Sequence, residues 1–177
     1  MPFAPIVKPT PDEYPAAFQA YVGPVEVSRG PELLLTQPDR LGTRLGGLSE
    51  AAALARYAPG KWSVKEVIGH LSDVERVMSY RLLRIARGDA TPLPGFDENE
   101  YVAGAGFDRR PLMDLLDDFR AVRGSTATLV EGLPTQAWVR RGSMSGLPVS
   151  ARALFYITVG HVEHHGRILR ERYALDV

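Results

Sequence analysis

The chain has 177 residues, 45% of them hydrophobic and 24% charged, the proportions of one globular domain with a single core. Lysine plus arginine and aspartate plus glutamate number 21 each, so no excess charge draws the chain to nucleic acid or to an anionic membrane. There is no cysteine, which excludes disulfides, thiolate metal sites and cysteine nucleophiles; thiol chemistry would need a thiol from outside.

The opening stretch MPFAPIVKPTPDEYP lacks the basic-then-apolar order of a signal peptide. No apolar run approaches the ~18 residues of a membrane span. Both readings, with the missing cysteines, predict a cytoplasmic protein. Residues 1–30 are rich in proline and broken by turns, an irregular extension with a short helix in DEYPAAFQAYV. PELLLTQPDRLGTRLGGL then sets Leu34, Leu41, Leu45 and Leu48 at roughly helical intervals, with Pro38 predicting a kink or a late start.

KWSVKEVIGHLSDVERVMSYRLLRIARG is the clearest helix. Ser63 and Glu66 form a capping-box pattern. Val64, Val67, Ile68, Leu71, Val74, Met78, Leu82 and Ile85 make one apolar stripe, and Gly88 suits the stop. The segment 89–107 predicts a long loop with one helical turn near ENEYV; loops of this length in compact domains are often functional. It could cover the mouth of a site, offering Phe96 and Tyr101 as apolar contacts and Asp97, Glu98 and Glu100 as polar ones. The plainer reading, and the one favoured by the residues alone, is a solvated connector anchored by its phenylalanine.

RPLMDLLDDFRAVRGSTATLVEGL predicts a third helix, with Leu112, Leu115, Leu116, Phe119, Val122 and Leu129 on one face. PTQAWVRRGSMSGLP predicts turns with a short extended piece. Ser150 N-caps the last helix, SARALFYITVGHVEHHGRILRERY. With no alternating strand pattern, no repeat and no second domain, residues 1–177 predict a single all-α domain, a four-helix bundle.

Three of the four histidines fall in GHVEHH: His161, His164 and His165. At about 100° per residue, Leu154, Ile157, Ile168 and His165 all lie within about 40° of His161. Two imidazoles thus occupy the core face. Unpartnered, each would leave polar nitrogens in an apolar interior. A divalent cation satisfies both at once. His164 is turned ~60° aside; it could replace His165 in an i, i+3 pair, flank the site, or be solvated. His70 sits at the flank of the second helix's stripe and completes a three-histidine set if the two helices are neighbours. Asp73, one turn on, could orient a ligand imidazole. Against this stand a polar helix face for HVEHH and an ordinary core histidine at His70.

YAPGKWSVKEVIGHLSDVERVMSYRLLRIARGDATPLPGFDENEYV followed by GHVEHHGRILRERY resembles the DinB/YfiT-like superfamily, from about Pro31 onward. The resemblance implies a bundle with up-down-down-up connections. It implies a divalent ion, zinc or nickel, on His70, His161 and His165, with His164 outside the ligand set, and a homodimer acting on a small molecule. The activity it implies is a metal-dependent transferase joining a low-molecular-weight thiol such as bacillithiol to an electrophile, or a metal-dependent hydrolase; a third reading is a non-catalytic metal-binding stress protein. The cysteine-free composition puts thiol transfer first. Hydrolysis wants a positioned base, and none stands out. Asp73 suits orientation better, Glu163 points away from the histidine face, and Glu75 suits an interhelical pair with an arginine. Trp62 reads as packing. Trp138 with Arg140 and Arg141 could bind a substrate carboxylate or simply form surface pairs.

Overall fold

The computed structural model describes residues 6–177; the first five residues of the proline-rich opening lie outside them. Its elements are a short helix α1 (Gln19–Val22), α2 (Gly30–Leu45), α3 (Glu50–Ala53), α4 (Val64–Ala86), α5 (Glu98–Ala105), α6 (Leu112–Glu131), an antiparallel hairpin β1 (Arg141–Met144) and β2 (Leu147–Ser150), and α7 (Ala151–Tyr173). None of these helices is long and apolar enough to cross a membrane.

Local chemistry sets the ends of the two helices that matter most. Ser63 accepts from the Glu66 amide at 3.0 Å, while the Glu66 carboxylate accepts from the Ser63 amide at 2.8 Å, so α4 opens on the expected capping box. Gly88, at φ +84°, follows its end. Ser150 accepts from the Ala153 amide at 3.1 Å and starts α7. Every residue of the α4 stripe from Val64 to Ile85 is buried.

Long α2, α4, α6 and α7 form the bundle. Gln37 and Arg40 of α2 meet Glu163 of α7, and Arg44 meets Asp176 just beyond it, so these helices run parallel. Tyr173, at the end of α7, donates to the Trp62 carbonyl before α4 at 2.6 Å, so α4 runs against α7. Ser63 meets Asp108 and Glu75 meets Arg123, which makes α4 and α6 parallel. The connection order is therefore up-down-down-up.

Three details depart from the sequence reading. Helix α2 starts at Gly30 and runs on through Pro38, so the late start is not taken. Burial of Leu33, Leu34, Leu41 and Leu45 holds it despite the backbone bond that proline removes. Past Phe119 the inner face of α6 turns partly polar: Arg123 and Thr126 are buried there along with Val130, whereas Val122 and Leu129 are only half-buried. The extended piece after α6 is a true hairpin, turning through Ser145 at φ +54° and Gly146 at φ +78°, the two left-handed positions that a tight two-residue turn requires.

The N-terminal segment packs on α7. Tyr156 donates to the Ile6 carbonyl at 2.6 Å, and Glu13 accepts from Ser150 and Arg152 at 2.6 and 2.7 Å. Helix α1 lies against α7 at Gly160, where a Cβ would stand 2.1 Å from the Tyr21 carbonyl oxygen. Glycine permits that approach and no other residue would.

Candidate metal centre

Antiparallel packing brings the second turn of α4 to the middle of α7, and His70, His161 and His165 meet there, all buried. The Nε2 atom of His161 lies 3.1 Å from that of His70 and 3.1 Å from that of His165. One nitrogen of each ring falls within 4.8 Å of the other two. Burial lowers the His70 pKa to about 4. His161 and His165 are pushed well below the ordinary range, by burial first and by their neighbouring imidazoles second. All three are neutral at pH 7, the state in which an imidazole nitrogen offers its lone pair.

The cluster does not satisfy itself. His161 Nε2 carries either one lone pair or one proton, so only one of its two 3.1 Å contacts can be a hydrogen bond. His165 Nδ1 is buried with no hydrogen-bond partner among the described residues. Two nitrogens held ~2.0–2.1 Å from a tetrahedral ion stand about 3.3 Å apart. The observed separations are close to that, so the three rings fit a divalent cation.

Aromatic rings wall the cluster. Trp62 lies with its ring centroid 4.6 Å from that of His70 and stacks on His165 at 6.4 Å. Tyr21 sets its ring against His161 at 5.4 Å and His164 at 5.0 Å. His164 is half-buried, and its Nδ1 accepts from Arg167 at 3.2 Å, so the structure keeps it beside the cluster rather than in it.

Two cavities flank the histidines. The larger, about 290 Å³, is lined by His164, His165, Trp62, Tyr57, Lys61 and Asn99 among others. The smaller, about 160 Å³, is lined by His161, Arg81, Met78, Phe96 and Ser145 among others. Tyr21 and Glu98 line both. The 89–107 loop thus covers the mouth through Phe96, Glu98 and Asn99. Asp97 is spent on capping α5, accepting from the Asn99 amide at 2.8 Å. Tyr101 turns away and packs on Phe96 at 5.0 Å. Glu100 is exposed and lines neither cavity.

The remaining candidate residues are engaged elsewhere. Asp73 pairs with Arg76 at 3.6 Å and makes no hydrogen bond to a histidine among the described residues. Glu75 forms the interhelical pair, with Arg123, and Glu163 pairs with Arg40. Trp138 packs on Phe155 at 5.8 Å, Arg140 donates to the Ala86 carbonyl, and Arg141 pairs with Asp12 at 2.7 Å. None of these three lines either cavity. Tyr21 and Arg81 were the residues missed. Tyr21 sits in a segment without periodicity. Arg81 stands on the apolar stripe itself, seven residues after Val74 and four before Ile85, and a charge at that phase was the signal that could have found it.

Comparison with known proteins agrees with this architecture. The chain resembles the YfiT protein of Bacillus subtilis, described as "a probable metal-dependent hydrolase with an unusual four-helix bundle topology", at a TM-score of 0.75 with 19% identity, over 97% of each chain. A "putative metal-dependent hydrolase" of Oceanobacillus iheyensis is 28% identical over 67 residues, 37% of this chain. That match spans only 38% of the relative's own length. Residues 33–169 match the DinB superfamily, a span that takes in α4 and α6 whole, most of α2 and α7, and all three clustered histidines. The chain belongs to the DinB superfamily.

Proposed function

We propose that this protein is a metal-dependent hydrolase of a small ester or amide. The observation that carries the reading is the convergence of three neutral imidazole nitrogens between two cavities that share one carboxylate, Glu98. A divalent ion on His70, His161 and His165 would polarise a carbonyl oxygen and acidify water. Glu98, exposed at the rim of both cavities, is the carboxylate placed to take a proton from water and return it to the leaving alcohol or amine. Tyr21 and Trp62 narrow the approach and exclude bulk water from the imidazoles.

Thiol transfer ranks second. In its favour stand a chain without cysteine and a larger cavity of about 290 Å³ beside His165, with room for an external thiol. Hydrolysis ranks first because a base is present at the rim and because the relatives named above are described as hydrolases. The test is metal analysis of purified protein, followed by an ester and amide panel assayed with and without a small thiol. Hydrolysis without thiol, lost in His161→Ala together with the metal and reduced ~100-fold in Glu98→Gln, supports the reading. Turnover only with thiol favours transfer, and metal without turnover favours a binding protein.

A further inference from the structure

Two arginines are deeply buried, and they are treated differently. Arg123 is neutralised by Glu75. Arg81, 4% exposed, has no carboxylate within ion-pairing distance among the described residues. Its terminal nitrogens meet the Pro94 carbonyl at 2.6 Å and the Met78 sulfur at 3.7 Å, and its guanidinium carbon stands 5.5 Å from the Phe96 ring centroid. At most two of its five N–H groups therefore find an acceptor among the described residues, one of them a weak one. A buried cation without a counter-charge is costly, and stability alone would not maintain it.

Arg81 lines the smaller cavity, whose wall also holds His161. The other walls are apolar, from Phe18, Val74, Met78, Phe96 and Ile157. Polar groups there, besides the histidine, are Tyr21, the Ser145 hydroxyl and the Glu98 carboxylate, the last exposed at the rim. Arg81 also forms one side of a separate apolar groove bounded by Tyr80, Leu93 and Tyr101. Of these two, the first joins it to the histidine cluster.

We propose that this cavity is a carboxylate subsite, in which Arg81 binds the free carboxylate of a short-chain substrate whose scissile carbonyl lies toward His161. The assignment rests on the hydrolase reading and narrows its substrate to an ester or amide carrying a second, anionic end. A volume of about 160 Å³ takes a chain of about four to six heavy atoms, since a cavity near this size holds benzene. The guanidinium fork matches a planar carboxylate. One cation in apolar surroundings balances one negative charge and leaves a phosphate dianion half-neutralised. Arg81 is a specificity residue in this scheme; the acyl bond is broken at the histidines, with water entering and the alcohol or amine leaving.

The test has a binding arm and a kinetic arm. Metal-free protein is titrated with succinate, with butyramide as neutral control and inorganic phosphate as competitor. Zinc-loaded protein is assayed on the mono-4-nitrophenyl ester of succinate and on 4-nitrophenyl butyrate. Succinate affinity is expected to fall at least about tenfold in Arg81→Met. The preference for the succinate ester in kcat/KM should collapse by a similar factor through KM, with the butyrate ester changed less than about threefold. Arg81→Gln, which can still donate to the Pro94 carbonyl, is read by the same criterion if the methionine variant melts early. Equal succinate binding in wild type and variant, tighter binding of phosphate, or an ester preference that survives the substitution would overturn the subsite. Arg81-dependent succinate binding with neither ester cleaved would sink the hydrolase and keep the subsite. Cleavage of the butyrate ester with no Arg81-dependent binding would do the reverse.

Discussion

Glu75 and Arg123 form an ion pair inside the bundle, with only 2% of either side chain exposed. One terminal nitrogen of Arg123 donates to Glu75 at 2.9 Å, and its Nε lies 2.9 Å from the other carboxylate oxygen. The second terminal nitrogen donates to Gln37 at 2.6 Å, and Gln37 in turn donates to Glu163 and to the Val159 carbonyl. The chain of contacts ties α4, α6, α2 and α7 together. Breaking it from one side leaves a buried charge alone. Glu75→Leu should therefore cost roughly 3–5 kcal/mol, while the double replacement Glu75→Leu with Arg123→Met should cost much less. Urea melts of the two variants check the order.

The i, i+3 ambiguity at the end of the chain resolves in geometry. His165 reaches the shared point with His161, and His164 is held by Arg167 and Tyr21. Metal content measured after purification should be lost in His165→Ala and retained in His164→Ala. Equal loss in both would show that the ligand set is drawn wrongly.

Gly160→Ala sets two effects against each other. Alanine gains about 1 kcal/mol over glycine within a helix. Its Cβ would meet the Tyr21 carbonyl oxygen at 2.1 Å, and a backbone atom cannot rotate aside. The clash should win, costing a net ~1–3 kcal/mol or detaching α1 from α7. Thermal melting, with limited proteolysis across residues 6–25, distinguishes these outcomes from a silent substitution.

Acid sensitivity has an identifiable source in Glu13. Hydrogen bonds from Arg152 hold its carboxyl at about 2, against an ordinary 4.5, with Ser150 and Thr10 adding to the effect. The unfolded chain takes up this proton near 4.5 and the folded one only near 2, so the stabilisation is complete above 4.5 and drains as pH falls toward 2. The shift corresponds to roughly 3 kcal/mol. Comparing denaturant melts of wild type and Glu13→Gln at pH 7 and pH 3 should show the gap between them narrowing at the lower pH.

Much of this was legible in the residues. The Ser63–Glu66 box, the Ser150 cap and the α4 stripe are local patterns, and they set both histidine-bearing helices and their phase. That His70 would face His161 followed only if the helices were neighbours, a matter of packing. Local pattern could not assign Asp73, because an arginine three residues on competes for its carboxylate. It could not place Tyr21 either, since a four-residue helix has no stripe to read. Arg81 was legible in phase, seven residues after Val74 on the α4 stripe, but the loop and hairpin that enclose it are distant in sequence.

The same loop and hairpin are laced together. Leu93 donates its amide to the Ser143 carbonyl and accepts from the Ser145 amide, each at 2.9 Å, in a short parallel bridge. Phe96 and Ser145, which both line the Arg81 cavity, are thereby joined through one bridge. Two bonds made by one residue to one hairpin should open as a unit, so the amide protons of Leu93 and Ser145 should exchange with solvent at one common rate, and a ligand bound in the cavity they border should slow both equally.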